Sequence, residues 1–176
     1  MSEIVLFHSA LGLRPGVHWF AGRLREAGHT VHTPDLYDGD VFDDLEEGLA
    51  KRDALGMEEV IRRGGVAAPP AEFYAGFSLG AAPAQMLAQT RPGARGALLY
   101  HSAIPAHFFG GWPEDVALQI HTMEDDALGD VDDARELPGE LHLYPGSDHL
   151  FLDPDLPEFD EAAAELVIER SLVFLA

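Results

Sequence analysis

The chain has 176 residues, with 11 basic against 31 acidic side chains, a formal net charge of −20 and no cysteine. Such acidity repels phosphate backbones and anionic lipid, so nucleic acid and membrane surfaces are set aside as partners. Without cysteine there is no disulfide framework, thiolate metal site or cysteine nucleophile. With 47% hydrophobic and 24% charged residues, the composition is that of a soluble globular chain.

The length suits a single domain over residues 1–176, able to hide roughly 70% of its unfolded surface without staples. Ile4 to Phe7 is an apolar run too short for a helix and reads as a buried strand. From Pro15 to Ala27 the pattern turns helical, with Val17, Phe20 and Leu24 on one face and Gly28 as its stop. Thr30 to Thr33 reads as the next strand, ended by Pro34. Between Asp40 and Arg63, Val41, Leu45, Leu49, Met57, Val60 and Ile61 mark one helix or two, broken at Gly48 or Gly56. Glu72 to Phe77 is a strand, and Leu79 to Gln89 a helix with Ala82, Met86 and Leu87 inward. Ala97 to Tyr100, Ala117 to His121 and Glu140 to Tyr144 are three more strands. Glu158 to Leu175 closes the chain as a helix, with Phe159, Ala162, Leu166 and Phe174 among its apolar positions. Strands alternating with crossover helices imply an α/β domain: a mostly parallel twisted sheet covered on both faces. No apolar run approaches the roughly 20 residues of a membrane span. Met1-Ser2-Glu3-Ile4 has neither a basic nor an apolar leader character, so the cytoplasm is the expected location.

Gly76-Phe77-Ser78-Leu79-Gly80 follows a strand and opens a helix, the context of a nucleophile elbow. A sharp turn there strains the Ser78 backbone, and glycines two residues to either side leave it room. The serine then stands at a helix start, where N–H groups can stabilise an oxyanion. A serine at its ordinary pKa needs a base within hydrogen-bond reach. His149, in the loop after the last strand and before the last helix, holds that position. The acid is expected at the end of the preceding strand, where Glu124, Asp125 and Asp126 offer three carboxylates. Asp126 lies far enough into the loop to turn back towards His149, with Asp125 in reserve; it would fix the imidazole tautomer. The oxyanion donors would be the N–H groups of Leu79 and Ala10, or Leu11 if the first loop is shifted by one. Phe108, Phe109, Trp112 and Phe151 are candidates for an apolar substrate wall, with core packing an equal alternative.

These residues resemble the dienelactone hydrolase family of α/β-hydrolases. The similarity runs from Ala27-Gly28-His29-Thr30-Val31 into Thr33-Pro34-Asp35-Leu36-Tyr37, through the Gly76–Gly80 elbow and His121–Asp126, to Tyr144-Pro145-Gly146 and His149-Leu150-Phe151. It implies a three-layer α/β-hydrolase core with no large lid domain and no cofactor. The family's founding enzymes carry cysteine at the elbow, where this chain has Ser78. They hold an anionic substrate with arginines, one of them just past the catalytic histidine, where this chain has Leu150-Phe151-Leu152-Asp153. Their acidic residue in the first loop is replaced here by Ser9. These departures favour ordinary serine-esterase chemistry on a small-molecule ester, thioester or lactone. A non-catalytic binding protein on the same fold is the competing reading, and retention of all three triad groups speaks against it. A metal site built from His8, His101 and His121 is a third, but no H-x-x-x-H or H-E-x-x-H spacing supports it, and no metal is expected.

Overall fold

The computed structural model describes residues 1–176. Six strands, β1 (Glu3–Phe7), β2 (Thr30–His32), β3 (Phe73–Phe77), β4 (Gly96–Tyr100), β5 (Ala117–Met123) and β6 (Glu140–Tyr144), form one sheet. Their order is β2-β1-β3-β4-β5-β6 and every pairing is parallel. Parallel neighbours demand crossovers, which run through α1 (Pro15–Glu26), the pair α2 (Leu45–Leu55) and α3 (Met57–Ala67), α4 (Ala81–Thr90) and α5 (Val131–Glu136), with only a 3-10 turn between β4 and β5. The closing helix α6 (Glu161–Leu175) follows β6.

Strand alternation divides the core into two layers. Ile4, Leu6, Ala75, Phe77, Leu98 and Tyr100 face α1 and α6, where they meet Phe20, Leu24 and Val167. Val5, Phe7, Tyr74, Ala97 and Leu99 face the other way, onto Val60, Ala84 and Leu87 of α3 and α4. Both sides of each central strand are therefore apolar, as a sheet sandwiched between helices requires. No helix is long and apolar enough to cross a membrane.

The second helical region divides at Gly56, where φ is +82°, while Gly48 lies inside α2 and is buried. Helix α4 begins later than its apolar pattern suggests, after a 3-10 turn at Ser78–Gly80, and Met86 is only half-buried. The last helix starts at Glu161, where Asp160 accepts a hydrogen bond from the Ala163 N–H at 3.0 Å. Its buried face is Ala164, Val167, Ile168, Ser171 and Leu175. Ala162 and Leu166 are exposed, because Ser171 turns inward to meet the Tyr100 hydroxyl at 2.9 Å and rotates the face away from them. A 3-10 turn at Ala106–Phe109 and the short α5 had no periodic signal, being under two turns long.

A buried polar chain fixes the β5–β6 edge that carries two of the site loops. Gln119 Oε1 can only accept, so His121 donates to it from Nε2 at 2.8 Å. His121 Nδ1 then accepts from the Tyr144 hydroxyl at 2.8 Å, and Arg170 donates to that oxygen at 3.1 Å. Gln119 Nε2 in turn donates to Glu140 at 2.8 Å. Burial holds His121 well below its ordinary pKa, with His142 and Arg170 adding to the effect, so the ring is neutral.

Candidate active site

The strand order reverses direction between β1 and β3, and ligands of open parallel sheets bind beyond the carboxyl ends at such a point. The loop after β1 carries Ser9, Ala10 and Leu11; the end of β3 carries Ser78. Ser78 is half-buried with φ +50°, in the left-handed region that L residues rarely occupy. Its flanking glycines are required by contact. A Cβ on Gly76 would stand 2.0 Å from the Gly80 carbonyl oxygen, and one on Gly80 2.5 Å from the His8 carbonyl oxygen.

Three side chains from three loops meet there. Ser78 Oγ lies 2.7 Å from His149 Nε2, and His149 Nδ1 lies 2.7 Å from Asp126 Oδ2. A carboxylate only accepts, so Nδ1 carries the ring proton and Nε2 is left to accept from the serine hydroxyl. Asp126 is buried, and its second oxygen accepts from the Leu128 N–H at 2.9 Å. Asp125, the reserve residue, points to solvent, while its N–H donates to the Gly146 carbonyl and ties the acid loop to the histidine loop.

Ala10 and Leu79 are both buried beside Ser78's turn. The Leu11 N–H donates to Ser9 Oγ at 3.1 Å, which removes it from the pair of oxyanion donors considered. Leu79 sits in the first turn of a helical segment, whose N–H groups have no intrahelical carbonyl to meet. The first loop is held in place by Arg14, buried among three loops. Its Nε donates to Asp153 at 2.9 Å and its Nη1 to the Phe42 carbonyl and Asp43 at 2.7 and 2.6 Å.

Two clefts meet at His149. One, of about 370 Å³, opens on Ser78 and Leu79 and is lined by Leu45 and Leu49 of α2, Met57 of α3, Ile104 and Leu128. The other, of about 420 Å³, shares Leu45 and His149 with the first and is bordered by Asp43, Asp44, Asp148 and Glu158. The four aromatic residues named as a substrate wall line neither cleft. Gln85 and Gln89 of α4 explain three of them. Gln85 Nε2 donates to the Ile104 carbonyl at 2.6 Å, and Gln89 Nε2 to the Ala106 and Gly111 carbonyls at 2.8 and 2.7 Å. Residues 106–111 are thereby drawn along α4, about 12 Å of helix from its start near Ser78. Phe108 is left exposed, Phe109 half-buried, and the Trp112 indole donates to the Val116 carbonyl at 2.6 Å. Phe151 is fully buried beneath the histidine loop, edge-on to His101 at 4.8 Å.

His101 was not linked to the site by sequence. It too has a left-handed backbone, φ +69°, and its ring centroid lies 5.8 Å from that of His149. Burial keeps it well below its ordinary pKa, with His149 and His121 adding to the effect, so a neutral ring backs the triad. His8 donates from Nδ1 to the Ser9 carbonyl at 2.7 Å and accepts the Leu36 N–H at Nε2. The three histidines thus have separate engagements, and no group of three or more His, Asp or Glu is arranged to hold a metal.

Known proteins resemble this chain in sequence family and in fold. The sequence matches the model of the dienelactone hydrolase family over residues 1–176. No relative was found among curated proteins. A dienelactone hydrolase-like promiscuous phosphotriesterase from metagenomic libraries superposes with a TM-score of 0.74 at 19% identity, covering 99% of this chain and 85% of that one. A hydrolase of the alpha/beta superfamily from Xanthomonas campestris gives 0.65 at 21%, covering 99% and 98%. The esterase domain of a Rhodothermus marinus protein gives 0.61 at 16%, covering 98% and 85%. At such identities these likenesses establish a shared fold.

Proposed function

The chain belongs to the dienelactone hydrolase family, and from that premise we propose that it is a serine hydrolase cleaving an ester, thioester or lactone through an acyl-enzyme. The reading is carried by the continuous hydrogen-bonded path Asp126–His149–Ser78, 2.7 Å at each step. Ser78 Oγ attacks the carbonyl carbon as His149 Nε2 takes its proton. Asp126 stays ionised, holding the ring and stabilising the imidazolium. The N–H groups of Leu79 and Ala10 receive the developing oxyanion. Collapse of the tetrahedral intermediate expels the leaving group, protonated by His149. Water, activated by the same nitrogen, then releases the acid and restores Ser78. The proton transfers use side chains already within hydrogen-bond reach of one another.

The test is hydrolysis of p-nitrophenyl acetate by the wild-type chain and by Ser78→Ala. Turnover should fall by at least about 10⁴-fold in the variant, with its circular dichroism and melting unchanged. A fluorophosphonate should label Ser78 in the wild type. Undiminished turnover in the variant contradicts the reading; absence of both turnover and label favours a binding protein on this fold.

A further inference from the structure

We propose that the cleft opening on Ser78 is an acyl pocket for uncharged, apolar acyl groups of short to medium length, with Leu49 and Met57 setting the length. This deepens the serine-hydrolase reading and rests on it. Two clefts reach His149, and the chemistry distinguishes them. The acyl group stays bonded to Ser78 Oγ while the leaving group departs past His149 Nε2. Only one cleft touches both Ser78 and Leu79, so it is the one an acyl group attached to Ser78 enters.

Its lining selects the substrate. Eight of thirteen lining residues are hydrophobic. They come from five separate places: Leu45 and Leu49 on α2, Met57 at the start of α3, Leu79 and Ala82 around the start of α4, Ile104 after β4, and Ala127 and Leu128 after β5. Apolar side chains converging from unconnected segments form a site more readily than a core, since Met57 and Leu128 remain 38% and 50% exposed. The cleft also meets two charges of opposite sign, and both are engaged. Arg52 donates to Asp53 from Nε at 2.8 Å, and Asp130 accepts from Ser102 Oγ at 2.7 Å. A carboxylate on the acyl group would find no unpaired cation among the lining residues. At about 370 Å³ and open to solvent, the cleft lies at the small end of the range for small-molecule sites, about 300–1,000 Å³, which suits an acyl chain of roughly four to eight carbons.

The experiment is a p-nitrophenyl ester series from acetate to dodecanoate, with pentanoate compared against the half-ester of glutarate, which has the same carbon count and a terminal carboxylate. kcat/KM should climb by up to about fourfold per methylene, then level off or fall beyond about eight carbons. The glutarate half-ester should be slower than pentanoate by at least about tenfold. Leu49→Trp should lower the ratio of hexanoate to acetate kcat/KM by about tenfold or more. Met57→Trp, at an exposed position that folding tolerates, should shift that ratio in the same direction. A flat length profile, a preference for the half-ester, or tryptophan variants that leave the ratio unmoved would overturn the acyl assignment while fluorophosphonate still labels Ser78. Failure of both labelling and hydrolysis would instead remove the serine-hydrolase reading itself, and this one with it.

Discussion

At Ser78 the chain is forced into a left-handed conformation, φ +50°, and the consequence is written into the residues beside it. Gly80 packs against the Phe7 and His8 carbonyls, where a Cβ would stand 2.6 and 2.5 Å from backbone oxygen. Backbone cannot rotate away as a side-chain tip can. Gly80→Ala should therefore cost about 3 kcal/mol or more, lowering Tm by about 6–12 °C in a domain of this size. It should also lower kcat/KM, since the displaced strand carries the first loop; calorimetry and ester kinetics read the two effects. This part of the site was legible because its demands are local: glycine, serine and glycine at fixed spacing between a strand and a helix. Between Asp126 and Asp125 the sequence carries a preference only, and in the fold it is the Asp126 carboxylate that turns inward to His149. The apolar wall was not legible in this way. Phe108, Phe109 and Trp112 are as apolar as Leu45 or Leu49, and what separates them is the pair of glutamines on α4 that draws residues 106–111 along that helix. No local pattern announces such a tether.

Helix α2 carries the plainest prediction among the elements. An Ala in place of a mid-helix Gly ordinarily gains about 1 kcal/mol of propensity. At Gly48 a Cβ would come 2.4 Å from the Ala10 carbonyl oxygen, so the helix is seated directly on the loop proposed to supply an oxyanion donor. Gly48→Ala should lower Tm rather than raise it and reduce kcat by about tenfold, a fraction of what loss of a whole donor costs. Gly22→Ala in α1, with nothing within 4 Å, should leave kcat alone and keep or raise Tm. If both variants behave alike, the seating of α2 on Ala10 has no functional consequence. The same glycines show how far element boundaries could be read. Gly48 and Gly56 were equivalent breaks in the sequence, but only Gly56 adopts a positive φ, +82°. Gly48 is helical because close packing, not turning, requires it. The closing helix was misread by face rather than by existence, since a buried Ser171 paired with Tyr100 reads as polar until its partner is known. The central strands β1, β3 and β4, in contrast, stood out because both their faces are apolar.

Across the whole molecule, burial acts on four histidines in the same direction. His8, His29, His101 and His121 all lie below their ordinary value of 6.5, chiefly through loss of solvent. Each ring is harder to protonate in the fold than in the unfolded chain, which takes up the protons below about pH 6.5. The unfolded state then binds more protons, so stability rises with pH across this window and is lost as pH falls through it. The fully buried His8, His101 and His121 each contribute up to about 1.4 kcal/mol per pH unit, and the half-buried His29 less. Urea unfolding should show a lower midpoint at pH 5.5 than at pH 7.5; equal midpoints would mean that burial of these rings does not govern stability in this window. The net charge of −20 works in parallel with the acyl pocket, slowing the approach of anionic substrates at low ionic strength. The proposed catalysis depends on one covalent event at one oxygen, Ser78 Oγ. Mixing the enzyme with p-nitrophenyl hexanoate, quenching in acid within the first turnovers and weighing the peptides should find the hexanoyl group on the peptide bearing Ser78. It should be absent when Ser78→Ala is treated in the same way. Full turnover by the wild-type enzyme with the acyl group on another residue, or with the same acylated peptide from the Ser78→Ala variant, would contradict the account.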